Sequence, residues 1–324
     1  MTFPVSQSVL DADALAAELK RRYGFDGDVR CKLLSRGMND IYRIEHAGGP
    51  HALKVSRSGK SNDDEFAYEQ NYVNHLSTAG IEVPNAIPLA DGSLFFSVEA
   101  PEGKRQIVMM RWLDGEPFGI TTNEDDAHRL GVFLAEMHRA AANFSTLHRK
   151  TVASEPKLAD RLPYLLDMVR DRPSDHAFLE RAGATVLDRM LALDPKAVPS
   201  GACHGDMQCA NVMQLASGGL AVFDFSDCGT DPLAKDIAAF YWRNDFEGRP
   251  ESVNRAFVVG YDSARPLSPE EKAAQPLFRL LRHFLITSTM ALYVNRIGPV
   301  PGFDKNIDFY IDMIRRYGEG AGIT

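Results

Sequence analysis

Cysteine and tryptophan are scarce in this chain, with four and two copies among 324 residues. Cys31, Cys203, Cys209 and Cys228 form no C-x-x-C pair. Four thiols in a chain of this length do not make a disulfide framework, so a reducing cytoplasm is the expected setting. No apolar run approaches the roughly 18 residues that suggest a membrane span. The start, Met1-Thr2-Phe3-Pro4, reaches Asp11 and Asp13 without the basic opening and apolar stretch of a signal peptide. Basic blocks are also missing. The longest is Lys20-Arg21-Arg22, and 36 basic residues face 44 acidic ones for a net charge of -8. A general nucleic-acid binder shows a basic footprint, so neither nucleic acid nor membrane is expected as a partner. No internal repeat or low-complexity tract is present.

What is there is an ordinary globular composition, 44% hydrophobic and 25% charged. Single cores stop growing at roughly 250–300 residues, so the length predicts two domains. The first is expected to be a mostly antiparallel sheet with one inserted helix, over residues 1–111. Residues 11–23 read as an amphipathic helix capped by Asp11 and ended by Gly24. Strand-like segments follow at Val29–Leu34, Ile41–Glu45, His51–Ser56, Leu94–Val98 and Gln106–Met110, with turn signals at Ala47-Gly48-Gly49-Pro50 and Pro101-Glu102-Gly103-Lys104. A helix opened by Asn62 or Asp63 and closed by Gly80 lies between them. Its apolar stripe is Phe66, Val73 and Leu76, and Glu69 falls on that stripe. A buried carboxylate needs a cation, for which Lys54 is the candidate. The residues alone leave open the alternative that Glu69 reaches the rim and Lys54 is solvated. Ser58-Gly59-Lys60-Ser61 resembles the end of a phosphate-binding P-loop. The glycine that motif needs five residues before Gly59 is Lys54, so the P-loop is rejected.

From about Trp112 the pattern turns helical. Stretches cover 122–141, capped near Thr122 or Asn123, then roughly 176–193, 251–261, 269–294 and 304–317. His138 on the first is read as a packed or capping histidine. Polar chemistry concentrates between Cys203 and Asp236. Cys203-His204-Gly205-Asp206 leads through Asn211 to the short strand Val212-Met213, and Gly218-Gly219 turns the chain into Leu220–Phe223, which ends at Asp224. Asp206, Asn211 and Asp224 therefore flank one small hairpin. An amide and a carboxylate suit a hard cation such as Mg2+, and the other carboxylate is available to orient a hydroxyl. A zinc site from Cys203, His204, Cys209 and Cys228 lacks ligand spacing. A Cys203/His204 nucleophile pair lacks an orienting third group.

Asp-x-x-x-x-Asn followed by a strand-terminal Asp resembles the catalytic loop and metal site of protein kinases. The form His204-Gly205-Asp206 to Asn211, with Asp224 thirteen residues on, resembles the aminoglycoside phosphotransferase and choline kinase family. Within it the likeness is to the branch of homoserine kinases and a stress-response protein kinase, through Phe223-Asp224-Phe225 and Asp236-Ile237-Ala238. Ser35–Tyr42 is similar to the family's nucleotide loop, Ala52-Leu53-Lys54-Val55 to its lysine strand, and Leu134–His138 to its "LxxLH" segment. Glu69 stands where the family's paired glutamate stands.

The resemblance implies an α+β, bilobal protein-kinase-like fold. Residues 1–111 would form the nucleotide-binding lobe. Residues 112–324 would form a larger, mainly helical lobe with catalytic loop, metal site and acceptor site. It further implies ATP held by Lys54, Glu69, Gly37, Asn39, Met110 and Trp112, with Mg2+ on Asn211 and Asp224. Asp206 would accept or orient the acceptor's proton. His204 would shape the loop, and Asp236 would tie it to the next helix. The expected acceptor is a small molecule bearing a hydroxyl: an amino alcohol, homoserine or an aminoglycoside. The expected state is monomer or homodimer.

The alternatives are a Ser/Thr protein kinase and a non-catalytic nucleotide-binding module. Only 11 residues separate Asp224 from Asp236, short for a protein kinase's activation segment. The lysine, base and metal residues are all retained, against a non-catalytic module. Residues 1–111 carry a net charge of -2 and residues 112–324 carry -6. That balance suits cationic acceptors and a plain solvated surface equally. Asp227 and Asp231 are candidates for a second metal or for turn formation. Trp242, Asp245 and Arg282 are candidates for the acceptor pocket, and Arg282 would suit a carboxylate.

Overall fold

The computed structural model describes residues 3, 5–118, 123–150, 154–298, 300, 303 and 306–323. In chain order the elements begin α1 (Ala12–Tyr23), β1 (Arg30–Arg36), β2 (Asn39–His46), β3 (Gly49–Ser56), α2 (Asp63–Thr78), β4 (Phe96–Ala100), β5 (Gly103–Arg111), β6 (Gly115–Pro117) and α3 (Glu124–Ala140). They continue α4 (Ser154–Met168), α5 (Pro173–Leu191), β7 (Ser200–Cys203), β8 (Val212–Leu215), β9 (Leu220–Val222), β10 (Gly229–Pro232), α6 (Asp236–Phe246), α7 (Glu251–Ala264), α8 (Pro269–Ile297) and α9 (Ile307–Gly320). The fold is α+β, with an N-terminal antiparallel sheet and a mostly helical remainder. Two compact units result: Met1–Gly119 with Asn143–Lys150 and Asn211–Ser226, and Ile120–Ala142 with Thr151–Ala210 and Asp227–Thr324.

The first unit is built on a five-stranded sheet of order β1-β2-β3-β5-β4. Alternation of side chains in a strand assigns its two faces. Tyr42, Ile44, Leu53, Val55, Ile107 and Met109 pack with Leu15 and Leu19 of α1. On the other face Val108 packs with Phe66 of α2. Lys54 lies between Leu53 and Val55 and pairs in register with Val108, so its side chain is on the α2 face. The caps behave as the sequence requires. The Asp11 carboxylate accepts from the Ala14 N–H at 2.9 Å, and Gly24 ends α1 in the left-handed conformation. Asn62 is the residue that opens α2, in a reciprocal capping box with Glu65. A second, three-stranded sheet of order β6-β8-β9 belongs to this unit.

In the second unit α3 and α7 cross at backbone contact distance. A Cβ on Gly131 would stand 1.9 Å from the Phe257 carbonyl oxygen, and one on Gly260 2.1 Å from that of His128. The long helix α8 packs with α4, α5 and α9 around Leu158, Leu165, Leu179, Phe278, Leu281 and Ile311. The N-cap of α3 is Asn123, whose side chain accepts from the Asp126 N–H; Thr122 lies outside the described residues. The final predicted helix, 304–317, begins outside them at 304 and 305; α9 starts at Ile307, with Asn306 before it, and runs to Gly320. Helix α4 interrupts a stretch without a sequence signal; Pro163 lies within it. Strands β7 and β10 pair antiparallel. Among the described residues no helix is long and apolar enough to cross a membrane.

Candidate active site

Lys54 and Glu69 form an ion pair, each buried at about 6% side-chain exposure. The pairing follows from the two periodicities: β3 turns Lys54 toward α2, and the apolar stripe of α2 turns Glu69 toward the sheet. A second cation joins them. Lys150 Nζ lies 3.9 Å from the other Glu69 oxygen and donates to the Ser226 carbonyl at 2.7 Å. Lys54 also donates to the Ser226 hydroxyl at 3.0 Å, and the Asn39 amide to the same hydroxyl at 2.9 Å. Burial pushes the Glu69 carboxyl up, but Lys54 and Lys150 together hold it below its ordinary value. The ion cluster is therefore carboxylate plus two ammoniums.

Asn211 and Asp224 flank the β8–β9 hairpin. Val212 pairs with Val222, and the Phe223 N–H donates to the Asn211 carbonyl at 2.9 Å. The register thus brings Asn211 to the end of the hairpin from which Asp224 departs. Asn211 is buried and Asp224 exposed. Asp224 has φ of 60°, the single non-glycine in the left-handed region among the described residues. Such backbone costs of order 1–3 kcal/mol and is found clustered at functional sites.

Gly37 sits at the tip of the β1–β2 hairpin, where its carbonyl accepts twice from the Arg57 guanidinium, at 2.8 and 3.1 Å. Asn39 opens β2 and is buried, its Oδ1 without a hydrogen-bond partner. Met110 lies near the end of β5, which the neighbouring Met109 and Arg111 tie to Ile87 and Asn85 by backbone hydrogen bonds. Trp112 stacks under the Arg43 guanidinium at 4.7 Å. All these residues belong to the first unit.

Asp206 belongs to the second unit, in the loop after β7. The scaffold of that loop is Asp236. Its Oδ2 accepts from the His204 N–H and its Oδ1 from the Gly205 N–H, each at 2.7 Å. His138 Nε2 lies 3.1 Å from Oδ2, and His138 Nδ1 lies 2.8 Å from the Tyr261 hydroxyl. Burial raises the Asp236 carboxyl, yet the hydrogen bond and charge of His138, with His204 and the Gly205 N–H, hold it below its ordinary value. The imidazole of His204 accepts from the Asp206 N–H at 3.2 Å, so the histidine shapes the loop. Gly205 has φ of 83°, and a Cβ there would meet the Asp227 carbonyl oxygen at 2.0 Å. Only glycine fits.

His138, Cys203 and Asp236 bring donor atoms within 4.8 Å of one another. The histidine and the carboxylate are committed to loop hydrogen bonds. Burial pushes the Cys203 thiol well above its ordinary value, so the thiolate a metal would need is disfavoured.

Arg282 of α8 is the partner of Asp206. Its Nη2 donates to the carboxylate, its Nη1 to the Gly205 carbonyl at 3.1 Å, and its guanidinium lies 5.8 Å from the Trp242 ring centroid. Gln208 donates to the second Asp206 oxygen at 3.0 Å. The other acidic candidates are tied elsewhere. Asp231 pairs with Lys235; Asp245 is buried against Arg279 and His283; Asp227 is exposed. Sequence reasoning missed Lys150 and Ser226 in the lysine cluster, and it did not foresee the contact of Arg282 with Asp206.

A family model described as the phosphotransferase enzyme family matches residues 30–274. Amicoumacin kinase of Bacillus subtilis (strain 168) is 23% identical over 324 residues, which cover 93% of this chain and 94% of that protein. A homoserine kinase of Rhodospirillum rubrum is 28% identical over 262 residues, 78% of each chain. Among solved structures, a microcompartment-associated aminopropanol kinase shares the fold with a TM-score of 0.78 at 23% identity, over 96% of this chain and 99% of that one. With the model spanning most of its length, the chain belongs to the phosphotransferase enzyme family and is a phosphotransferase acting on an alcohol group.

Proposed function

We propose that the chain moves the γ-phosphoryl group of ATP, with Mg2+, to a hydroxyl of a small molecule in the cytoplasm. The observation that carries the small-acceptor reading is the structure of the segment after Asp224. A 3-10 turn at Phe225–Asp227, strand β10 and a second 3-10 turn at Leu233–Lys235 take up all of it but Cys228 before α6 begins at Asp236. No stretch remains to serve as a protein-substrate platform.

Lys54, held by Glu69, places a point charge for the nucleotide phosphates. Gly37 and Asn39 would line the phosphates, and Met110 near the end of β5 with Trp112 just beyond it would line the adenine. Asn211 and Asp224 offer an amide oxygen and a carboxylate, the donor set of a hard cation that keeps water and phosphate oxygens as its other ligands. The bound cation would neutralise charge on the transferring phosphoryl group. The acceptor oxygen attacks the γ-phosphorus as the bond to the β–γ bridging oxygen breaks, and ADP leaves with that oxygen. The hydroxyl proton passes to the Asp206 carboxylate. Such transfer needs mainly positioning and charge neutralisation.

One contact favours a particular acceptor. The Nε of Arg282 is buried without a hydrogen-bond partner, beside the two donors spent on Gly205 and Asp206. A hydroxy acid of the homoserine type would bring an oxygen anion to that guanidinium. An ATP-consumption screen tests both readings, with homoserine, amino alcohols, aminoglycosides and a generic protein as acceptors. Turnover with homoserine, lost in Arg282→Ala, supports the hydroxy-acid reading. Turnover with an amino alcohol or an aminoglycoside alone replaces it. Phosphorylation of the protein alone overturns the small-acceptor reading.

A further inference from the structure

Phosphoryl transfer as proposed above leaves Lys150, a buried cation of the first unit, without a role. Lys150 ends the segment Asn143–Lys150, which is laid along α2. The Phe144 ring centroid sits 5.4 Å from that of Tyr68, 5.1 Å from Tyr72 and 5.4 Å from His75. At the start of α2 the Asp64 carboxylate accepts from the Arg149 N–H at 2.8 Å, and one of its oxygens lies 2.7 Å from His148 Nδ1. The strap then delivers Lys150, 8% exposed, to Glu69 and the Ser226 carbonyl.

Burying a second ammonium costs free energy that a single Lys–Glu pair would not incur. The site gains two things from it. Glu69 carries two lysines, which together offset its own charge and that of the nearby Asp224. The hydrogen bond to Ser226 also fixes the backbone two residues beyond Asp224, whose left-handed conformation persists only if its surroundings hold it.

We infer that Lys150 is a positioning residue for nucleotide binding, holding Glu69 in place for Lys54 and fixing the Asp224–Ser226 turn, and that the strap at residues 143–150 therefore governs affinity for metal–ATP. The inference rests on the ATP and Mg2+ reading above. Its test is calorimetric titration of Mg-ATP, without acceptor, into the wild type, Lys150→Met and Asp64→Ala, with steady-state KM for each substrate alongside. Lys150→Met keeps the length of the side chain and removes its charge. Affinity for Mg-ATP should fall about tenfold or more, as for loss of a buried charge-assisted contact. The KM for acceptor should stay unchanged. Asp64→Ala loosens the strap with both lysines kept and should weaken Mg-ATP about threefold, the worth of a surface hydrogen bond. A wild type that binds no Mg-ATP overturns the ATP reading itself. A wild type that binds, with Lys150→Met binding equally well, overturns the role of Lys150. Should Lys150→Met not fold, Asp64→Ala decides, and unchanged affinity there overturns the inference.

Discussion

Glu69 in the first unit and Asp236 in the second are both buried carboxylates held below their ordinary values, but by different partners. Glu69 takes two ammonium groups. Asp236 takes two backbone N–H groups and one histidine that bridges to Tyr261. The first arrangement answers the charge of Glu69 with point-like lysine charges rather than with fixed backbone donors. The second spends its charge on shape, pinning the backbone around Gly205 so that Asp206 is presented from a rigid loop. On the proposed reading, binding and geometry are served by separate carboxylates, and substitutions at the two places should fail in different ways.

The largest effect should come from the loop. Asp206→Asn keeps the shape and removes the base, so turnover should fall about 10²–10⁴-fold, the usual worth of a general base. Affinity for Mg-ATP should hold. Lys54→Met should do the reverse in kind, weakening Mg-ATP first. Equal losses of nucleotide affinity in the two variants, read by calorimetry, would dissolve the division of labour.

Stability separates the two carboxylates next. Glu69→Gln strands two buried ammoniums, and breaking a buried ion cluster from one side costs about 3–5 kcal/mol. Asp236→Asn keeps one acceptor oxygen but gives the other backbone N–H an amide it cannot use, a cost of about 1–3 kcal/mol. Chemical denaturation of both variants checks the order. A larger loss at Asp236 would mean that the loop, not the lysine cluster, is the costlier of the two to disturb.

The same comparison explains what the sequence discloses. Lys54 and Glu69 are legible because each sits on a regular element, where a period of two or of 3.6 turns a residue number into a direction. The capping residues Asp11 and Asn62 are legible for the same local reason. Lys150 is not, because it reaches Glu69 from an irregular strap eighty-one residues along the chain. Strands β7 and β10 are hidden too. Gly229-Thr230-Asp231-Pro232 has no apolar alternation, and its pairing with β7 is set by a partner nearly thirty residues away. Helix α4 escapes because Pro163 is a residue that normally ends a helix. The HGD motif announces Asp206, while Arg282 on α8 becomes its partner only through packing of distant elements.

The smallest expected effect probes the second unit's other polar cluster, where a carboxylate again meets a histidine. His283 is buried, stacked on the Tyr317 ring at 4.7 Å, with Nε2 3.1 Å from an Asp245 oxygen. Burial, helped by the charges of Arg279 and Arg282, depresses its basicity, although Asp245 works the other way. The folded state therefore binds a proton here less readily than the unfolded chain, whose histidine titrates at about 6.5. As the pH falls through that value the unfolded state gains protons first, and stability drops. Asp245, held low by His283 and Arg279 against its burial, adds a loss of the same sign, but only at lower, carboxylate pH. Wild-type Tm should thus decline between pH 7.5 and pH 5.5. In His283→Gln, which can still donate to Asp245, the decline should be shallower, since every other histidine is unchanged. Parallel Tm profiles for the two proteins would show that His283 binds its proton equally well in the folded and the unfolded chain, and that its burial against Asp245 and Arg279 leaves no net effect on stability.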